Sequence, residues 1–354
     1  MEPLTLHPEL KRLVRAEDWD GLASGTYHRI CQALKEGAPE RQPLTDYFVT
    51  EAGIIFDIYT QWRRDTLRYL EASLGAHPEL PAELERVRAL SLLGRPALLA
   101  DRDATWAHIL QLAEAVKLAL PSQAQIDLEA MKEHWRHLHD SEVDYLSGLF
   151  DIVIRYLGEP ALGEMYEKWV IGDWFDKRYK RFDVSSFSWE SAFPLIVYLT
   201  FESMHGHLAG PGRLGDVSFD SFEDRVEFTF APCGSGGRTV IGEPLDGTPA
   251  RMAPPYSYKV LEQKHDFAWN LEGVCTYCVH CCILTEKMPI AAFGYPVRVV
   301  DPPLYPNDGH AVCKWTVYRT PEAVPEQVYH RLGFVKPEVG AALGSAGGGA
   351  KRLA

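Results

Sequence analysis

The first half of the chain places apolar residues at the three- and four-residue spacing of helices that bury one face. Two series show this spacing most clearly, Ile109, Leu112, Val116 and Ala119, then Leu146, Phe150, Val153 and Leu157. Glycine and proline interrupt the pattern, for example at Gly158-Glu-Pro160. We therefore predict helices from about Leu10 to about Tyr179, with the helical region ending near residue 205.

The pattern changes after Gly210-Pro-Gly212. Apolar and polar residues alternate from Arg225 to Phe230, which predicts a half-buried strand. Two further strands are predicted at 296–300 and 312–318, with a short helix at 282–292 before them. We expect an α+β fold in which a helical domain, residues 1–205, packs on a mixed α/β domain, residues 206–335, with a small antiparallel sheet. Residues 336–354 are predicted to be a flexible tail.

Composition and charge narrow the classes of function. The chain of 354 residues is 46% hydrophobic and 24% charged, and its formal net charge is −13. Such a charge argues against a nucleic-acid partner, because phosphate binding needs a cationic surface. No apolar run approaches the roughly 20 residues of a membrane helix, and no signal peptide is evident. We expect a cytoplasmic protein with no membrane partner. The sequence leaves open whether the chain forms a homo-oligomer.

One local cluster of basic residues, 177–181, departs from this acidic background. It is interpreted as a solvated helix end, with contact to an anion as the alternative.

Four of the seven cysteines fall between Cys275 and Cys282. Thiolate and imidazole are the ligands that zinc prefers, and two cysteines spaced C-x-x-C can grip one ion from a single turn. We therefore predict a zinc site, whose candidate ligands are Cys275, Cys278, His280, Cys281, Cys282 and Cys313. Cys233, Asp301 and His310 are further candidates. The spacing does not match the common iron–sulfur patterns, since Thr285 stands where a fourth cysteine would be needed.

Two other interpretations of the cysteines remain open. The thiols could carry redox or nucleophilic chemistry, for which an exposed cysteine of low pKa is required. They could also be buried apolar residues, because free cysteine is among the most buried residue types.

A glycine-rich loop follows the predicted strand at 225–230. In Cys233-Gly-Ser235-Gly-Gly-Arg238, the glycines permit a close approach of backbone N–H groups to an anion, and Arg238 could bind a carboxylate. Cys233, Ser235 and Arg238 are therefore candidate ligand-binding residues.

Three histidines are candidate catalytic groups. His139 continues the apolar line of the helix that contains Leu146, so it is expected to point inward. His205 lies one helical turn after Glu202, and His280 stands within the cysteine cluster. An inward histidine can move protons, although more often it is a core residue bonded to a backbone carbonyl.

The last third of the chain resembles the 4-vinyl reductase type of ligand-binding domain and the 2-aminothiazoline-4-carboxylate hydrolase-like proteins. In that pattern a cysteine opens a short helix, a Gly-rich turn, a strand and an acidic residue follow, and a second cysteine begins a final strand. The corresponding features here are Cys278, Gly294-Tyr-Pro296, 297–300, Asp301 and Cys313. Sensor members have a further cysteine where this chain has Leu304, so a zinc site would need Cys233, His280 or a neighbouring cysteine in its place.

These observations lead to one expected function and one alternative. The expected function is a zinc-dependent enzyme acting on a small aromatic or heterocyclic molecule, and the resemblance favours hydrolysis. The alternative is a non-catalytic small-molecule-binding module in which zinc is structural.

Overall fold

The computed structural model describes residues 2–96, 101–183, 188–306, 312–338 and 350–353 of the chain. Helices occupy most of the first part and a small antiparallel sheet follows, which confirms the predicted α+β class. No helix in these ranges is long and apolar enough to cross a membrane.

The helical part is formed by nine α-helices within the described ranges. They are α1 Trp19–Leu22, α2 Thr26–Glu36, α3 Arg41–Leu74, α4 Leu80–Ser91, α5 Arg102–Leu118, α6 Pro121–Leu157, α7 Glu159–Met165, α8 Gly172–Arg178 and α9 Trp189–Gly206. A π-helical turn, Tyr166–Val170, joins α7 to α8.

Helix α6 lies at the centre of the molecule and packs against α3, α4 and α5. Pro121 stands in its first turn, where an N–H group would have no helical partner, and Gly158 ends it with a φ of 85°. Every residue from Leu138 to Ile154 is buried, including several charged ones. A helix buried on all sides must pair its charged groups inside the protein.

The sheet contains β3 Ser218–Ser221, β4 Arg225–Phe230, β5 Val299–Asp301 and β6 Cys313–Tyr318, in the order β3-β4-β6-β5. All neighbouring strands are antiparallel. The predicted strand at 225–230 is confirmed, and its residues alternate between buried and half-buried. Helix α9 covers one face of the sheet, where the ring of Phe201 lies 4.9 Å from that of Phe228.

The remaining helices of the C-terminal part are short. They are α10 Gly236–Ile241, α11 Val279–Cys282, α12 Met288–Phe293 and α13 Glu326–His330. A π-helical turn, Ile283–Lys287, makes α11 and α12 one continuous helical segment. This segment contains the whole of the short helix predicted at 282–292 and begins three residues earlier.

The prediction of helix from about Leu10 is wrong at its start. Leu4–His7 and Arg12–Arg15 form a two-stranded antiparallel hairpin, β1–β2. Only some of its apolar side chains are buried: Val14 is buried, whereas Leu6 and Leu13 are exposed. The hairpin is held by the backbone N–H of Arg15, which donates to the Tyr198 hydroxyl on α9. That contact joins residues 183 positions apart and is not visible in a local pattern.

The end of the chain is described only in part. Residues 339–349, which carry most of the predicted flexible tail, lie outside the described residues. Residues 350–353 contact the body of the protein. The backbone N–H of Ala350 donates to Ile290, and the Arg352 guanidinium lies 2.6 Å from the Asp266 carboxylate.

Candidate functional site

A pocket of about 550 Å³ lies between the helical part and the segment α11–α12. Its apolar wall comes from α3, α8 and α9, from the π-helical turn after α11 and from β6. The main apolar residues are Ile54, Ile55, Ile58, Trp62, Trp174, Leu199, Leu284 and Trp315. The volume and the aromatic lining are typical of a site for a small molecule.

Basic side chains surround the pocket. Arg12 lies 2.5 Å from the buried Glu202 carboxylate and is neutralised by it. Lys177, Arg178 and Arg181 also line the pocket and form no ion pair with any described carboxylate. Burial is the main cause that lowers the pKa of Arg178, and the positive charge of the nearby Arg181 is the second cause. The cluster interpreted from the sequence as a solvated helix end therefore borders a pocket and gives it an excess of positive charge.

Three polar side chains, the buried Tyr59 and His139 and the half-buried His207, form a network at the inner end of the pocket. The His139 Nε2 atom lies 2.9 Å from His207 Nδ1, and the Tyr59 hydroxyl lies 3.1 Å from each of these two nitrogens. Of the three, Tyr59 and His207 line the pocket, whereas His139 lies behind them. The other ring nitrogen of His139 lies 2.9 Å from the Asp140 carboxylate.

The charge states in this network follow from its burial. Burial lowers the pKa of His139 to about 4, against a smaller opposite effect of Asp140. Burial also lowers the pKa of His207, and His139 adds to that effect. Burial by itself would raise the pKa of Asp140, but Arg213 and Arg238 hold it well below the usual range. At neutral pH the series is a carboxylate followed by two neutral imidazoles, which can relay a proton.

His207 was not among the histidines predicted to be catalytic. Its neighbour His205 was predicted to be catalytic, but both ring nitrogens of His205 are engaged elsewhere. One lies 2.8 Å from the Glu51 carboxylate and the other 2.8 Å from the carbonyl oxygen of Leu22. His205 holds α9 against α3 and α1 and does not line the pocket.

A second, smaller cavity of about 30 Å³ adjoins the pocket and shares His207, His280 and Cys281 with it. Four thiols line this cavity, those of Cys233, Cys278, Cys281 and Cys313. The structure thus brings together side chains from four segments, namely the end of α9, the glycine loop, α11 and β6. His280 is held by a 2.5 Å contact between Nδ1 and the Tyr277 carbonyl oxygen, and burial lowers its pKa to about 4.

Cys233 has the most favourable surroundings for a thiolate. A hydrogen bond with Cys313 is the main cause that lowers the pKa of Cys233 to about 6, against the opposing effect of burial. The backbone N–H of Gly237 also donates to its Sγ atom at 3.0 Å. Ser235 lies beside it, with its Oγ atom 3.8 Å from the sulfur, and lines the same cavity.

The predicted zinc ligands separate into three groups. Cys278, His280, Cys281 and Cys313 line the cavity, whereas Cys275 lies behind Cys278 at a Sγ–Sγ distance of 2.9 Å. Cys282 points away and accepts a hydrogen bond from the Trp269 backbone N–H at 3.3 Å. The Asp301 carboxylate is exposed and lies near Lys314, and His310 lies outside the described residues.

These donors fit zinc in their chemistry but not in their present positions. Their chemistry suits the ion, since thiolates and imidazoles surround one small cavity. In the side-chain positions described, however, no three His, Cys, Asp or Glu residues converge closely enough to hold a metal ion.

Arg238 does not line the pocket or the cavity. It is fully buried, and its Nη2 atom donates to Asp144 at 2.6 Å while Nε lies 3.3 Å from Asp140. Arg213 and Arg251 pair with the same two carboxylates. The predicted ligand contact of Arg238 is therefore replaced by a buried ion-pair cluster that joins α10 to α6.

Comparison of the chain with protein-family models, with curated proteins and with solved structures finds no match.

Proposed function

We propose that this protein is an enzyme that acts on a small anionic molecule with an aromatic or heterocyclic body, and that the reaction is a hydrolysis at the Cys233 thiol. The observation that carries the proposal is the connection between a ligand-sized pocket and a small cavity that both Cys233 and His207 line. The resemblance of the last third of the chain to hydrolase-like proteins favours the same reaction.

The pocket supports the choice of substrate. Apolar rings such as those of Trp62 and Trp174 suit a flat apolar body. The unpaired charges of Lys177, Arg178 and Arg181 suit a carboxylate or a similar anion. An anionic group held near these cations would leave the rest of the molecule extending toward His207.

The chemistry follows from the state of Cys233. With its pKa lowered to about 6, the thiol is largely deprotonated at pH 7 and needs no separate base. Its sulfur would attack an electrophilic carbon of the substrate, and the bond from that carbon to the leaving group would break. Water would supply the proton that the leaving group needs, because His207 is neutral and Cys233 has already released its proton. His207 would then take a proton from a second water, which cleaves the covalent intermediate and frees the thiolate, and would pass that proton to the hydroxide left by the first water.

The remaining residues of the network would set the orientation of His207. Asp140 accepts a hydrogen bond from one nitrogen of His139, which directs the other nitrogen toward His207. His139 is in this proposal a positioning residue and not one that touches the substrate.

A turnover assay tests this proposal. A panel of small aromatic and heterocyclic carboxylates with hydrolysable C–N or C–S bonds is incubated with the wild-type protein and with the Cys233→Ser, His207→Asn and Cys31→Ser variants. We expect the first two variants to lose turnover by 100-fold or more, whereas Cys31→Ser, altered on α2, keeps the wild-type rate. Binding of panel members without turnover would instead support a non-catalytic binding module.

A second candidate function is a zinc-dependent form of the same enzyme, and one observation favours it. Four thiols and two imidazoles line a single cavity beside the pocket. Cys278, His280, Cys281 and Cys313 would hold the ion after small side-chain movements. A zinc ion held by these residues would polarise a substrate or activate water if a coordination position were open, and would stabilise the fold if none were.

Metal analysis separates the two candidates. If zinc binds here, the purified protein holds close to one zinc per chain, and Cys278→Ser and Cys313→Ser lose it. Cys282→Ser keeps the metal, because that sulfur points away from the cavity. If the protein folds without metal and all seven of its thiols can be titrated, the zinc-dependent candidate is excluded and only the thiol mechanism remains.

A further inference from the structure

The two cysteines of the turn Cys275-Thr-Tyr-Cys278 form a close pair. Their chemistry can be considered independently of the proposed enzyme activity. Both are free thiols, and their sulfur atoms lie 2.9 Å apart. We propose that Cys275 and Cys278 are a redox modification site, at which a small peroxide converts the two thiols to a reversible disulfide.

The backbone allows this bond to form without a large movement. The N–H of Cys278 donates to the carbonyl oxygen of Cys275 at 3.0 Å. A turn closed by such a bond keeps the two Cα atoms within about 7 Å. A disulfide spans Cα separations of about 4.4–6.8 Å, so the turn already has a suitable shape.

Access is expected to be through the thiol-lined cavity. Cys278 lines this cavity, whereas Cys275 lies behind it. A cavity of about 30 Å³ has room for a molecule of about the size of water, and hydrogen peroxide is only slightly larger. Gly236 keeps the thiol uncovered, since a Cβ atom at that position would lie 2.4 Å from the Cys278 sulfur.

The reaction has two steps. The Cys278 sulfur attacks one peroxide oxygen, the O–O bond breaks, and Cys278 becomes a sulfenic acid while the first water leaves with the proton. The Cys275 sulfur then attacks the Cys278 sulfur, the S–O bond breaks, and the second water leaves. The two thiols lose two electrons in total, and the peroxide gains them.

The surroundings favour Cys275 as the resolving residue. The hydroxyl of Thr239 donates to its sulfur at 3.3 Å, and the N–H of Cys278 lies at the same distance. These contacts hold the Cys275 sulfur behind that of Cys278, in position to attack it. Only two residues separate the cysteines, so the bond closes a very short loop and is expected to be easily reduced rather than structural.

The modification would change the lining of the candidate site. Oxidation replaces a free thiol beside Cys233 and Cys313 with a disulfide sulfur that can neither bind a metal as a thiolate nor donate a hydrogen bond.

Peroxide treatment followed by mass spectrometry tests the proposal. The full chain, both as purified and after treatment with a chelator, is exposed to a small excess of hydrogen peroxide at pH 7. It is then denatured and alkylated. We expect a loss of two mass units, a Cys275–Cys278 link in the peptide map and five alkylated thiols out of seven, all reversed by dithiothreitol. A link that forms only after chelation also supports the proposal, because it shows that the two thiols react with peroxide in the metal-free protein.

Three variants make the test specific. Cys275→Ala is expected to stop at a sulfenic acid on Cys278, which dimedone traps, and Cys278→Ala is expected to show no oxidation at Cys275. Cys31→Ser, remote from the cavity, should behave as the wild type. Seven alkylated thiols in both preparations, or a link between other cysteines such as Cys233 and Cys313, would overturn the proposal. Circular dichroism establishes that each variant is folded.

Discussion

At the scale of single residues, the buried charges around Asp140 and Asp144 determine what the neighbouring side chains can do. Asp140 lies next to His139 and is paired with Arg213, and Asp144 is paired with Arg238 and Arg251. The sequence shows an arginine after a glycine-rich loop, which suits an anionic ligand. It does not show that two carboxylates of α6 meet that arginine, because the partners are about 94 positions apart.

Removal of Arg238 tests this assignment. Arg238→Met removes the ion pairs of Arg238 with the buried Asp140 and Asp144 carboxylates, so the free energy of unfolding is expected to fall by about 3 kcal/mol or more. The matched control is Arg225→Met, whose partners are solvent-accessible and whose loss is expected to leave the free energy of unfolding close to that of the wild type. Urea denaturation measures both values, and equal effects would contradict the assignment of Arg238 to the core.

The histidine network predicts a dependence of stability on pH. The pKa of His139 is about 4 in the folded protein and 6.5 as the ordinary value. As the pH falls below 6.5, the unfolded chain takes up a proton that the folded chain does not, so stability decreases toward pH 4. The contribution of His139 to this loss is about 2 kcal/mol between pH 7 and pH 5. The charged and polar groups around the ring are Asp140, Arg213, Arg238, His207 and Tyr59.

A histidine variant isolates this contribution. In His139→Gln the decrease in unfolding free energy between pH 7 and pH 5 should be smaller than in the wild type by about 2 kcal/mol. The exposed His28, changed to Gln, serves as the control and should leave the decrease as it is. If both variants lose stability with pH as the wild type does, His139 is not held in its neutral form by the fold.

At the scale of elements, periodicity predicts what is long and regular. The apolar series of α6 and the alternation of β4 were both visible in the sequence, and both elements are found where they were predicted. The hairpin β1–β2 was not predicted, because its strands have only four residues each and are held by a contact with α9.

The candidate site was predictable only in part for the same reason. The cysteine cluster is visible as a local concentration of thiols, and Cys278, His280, Cys281 and Cys313 do share one cavity. The direction of Cys282 depends on how α11 faces Trp269, and the role of His207 depends on His139, which lies 68 positions away. A local pattern contains neither piece of information.

Close packing of α6 against α4 gives a prediction for this scale. A Cβ atom at Gly148 would lie 2.7 Å from Val87 on α4 and from the Tyr258 hydroxyl, so Gly148→Ala is expected to cost about 1–3 kcal/mol. Gly53→Ala in α3 is the control, since its Cβ atom would meet only Trp106 at 3.6 Å. That change should leave stability unaltered or raise it by up to about 1 kcal/mol, because alanine favours helix. Thermal denaturation measures the difference, and two equal melting temperatures would contradict the packing.

At the scale of the whole molecule, the candidate site needs both parts of the chain. Tyr59 and His139 come from the helical part, whereas Cys233, Cys278 and Cys313 come from the part that contains the sheet. The boundary predicted at residue 205 falls at the end of α9, two residues before His207. The site is therefore complete only when α9 packs on the sheet.

The measurement that tests the central claim most directly is covalent labelling by a chloroacetamide that carries an aromatic carboxylate. The claim is that the pocket guides an anionic, flat molecule to a reactive Cys233. We predict one adduct per chain on Cys233 in a Cys31→Ser background. Its formation should be at least about 10-fold faster than with the uncharged analogue, and the advantage should be lost in Arg178→Gln/Arg181→Gln. Equal rates for the two reagents, or labelling of Cys233 only after unfolding, would contradict the account.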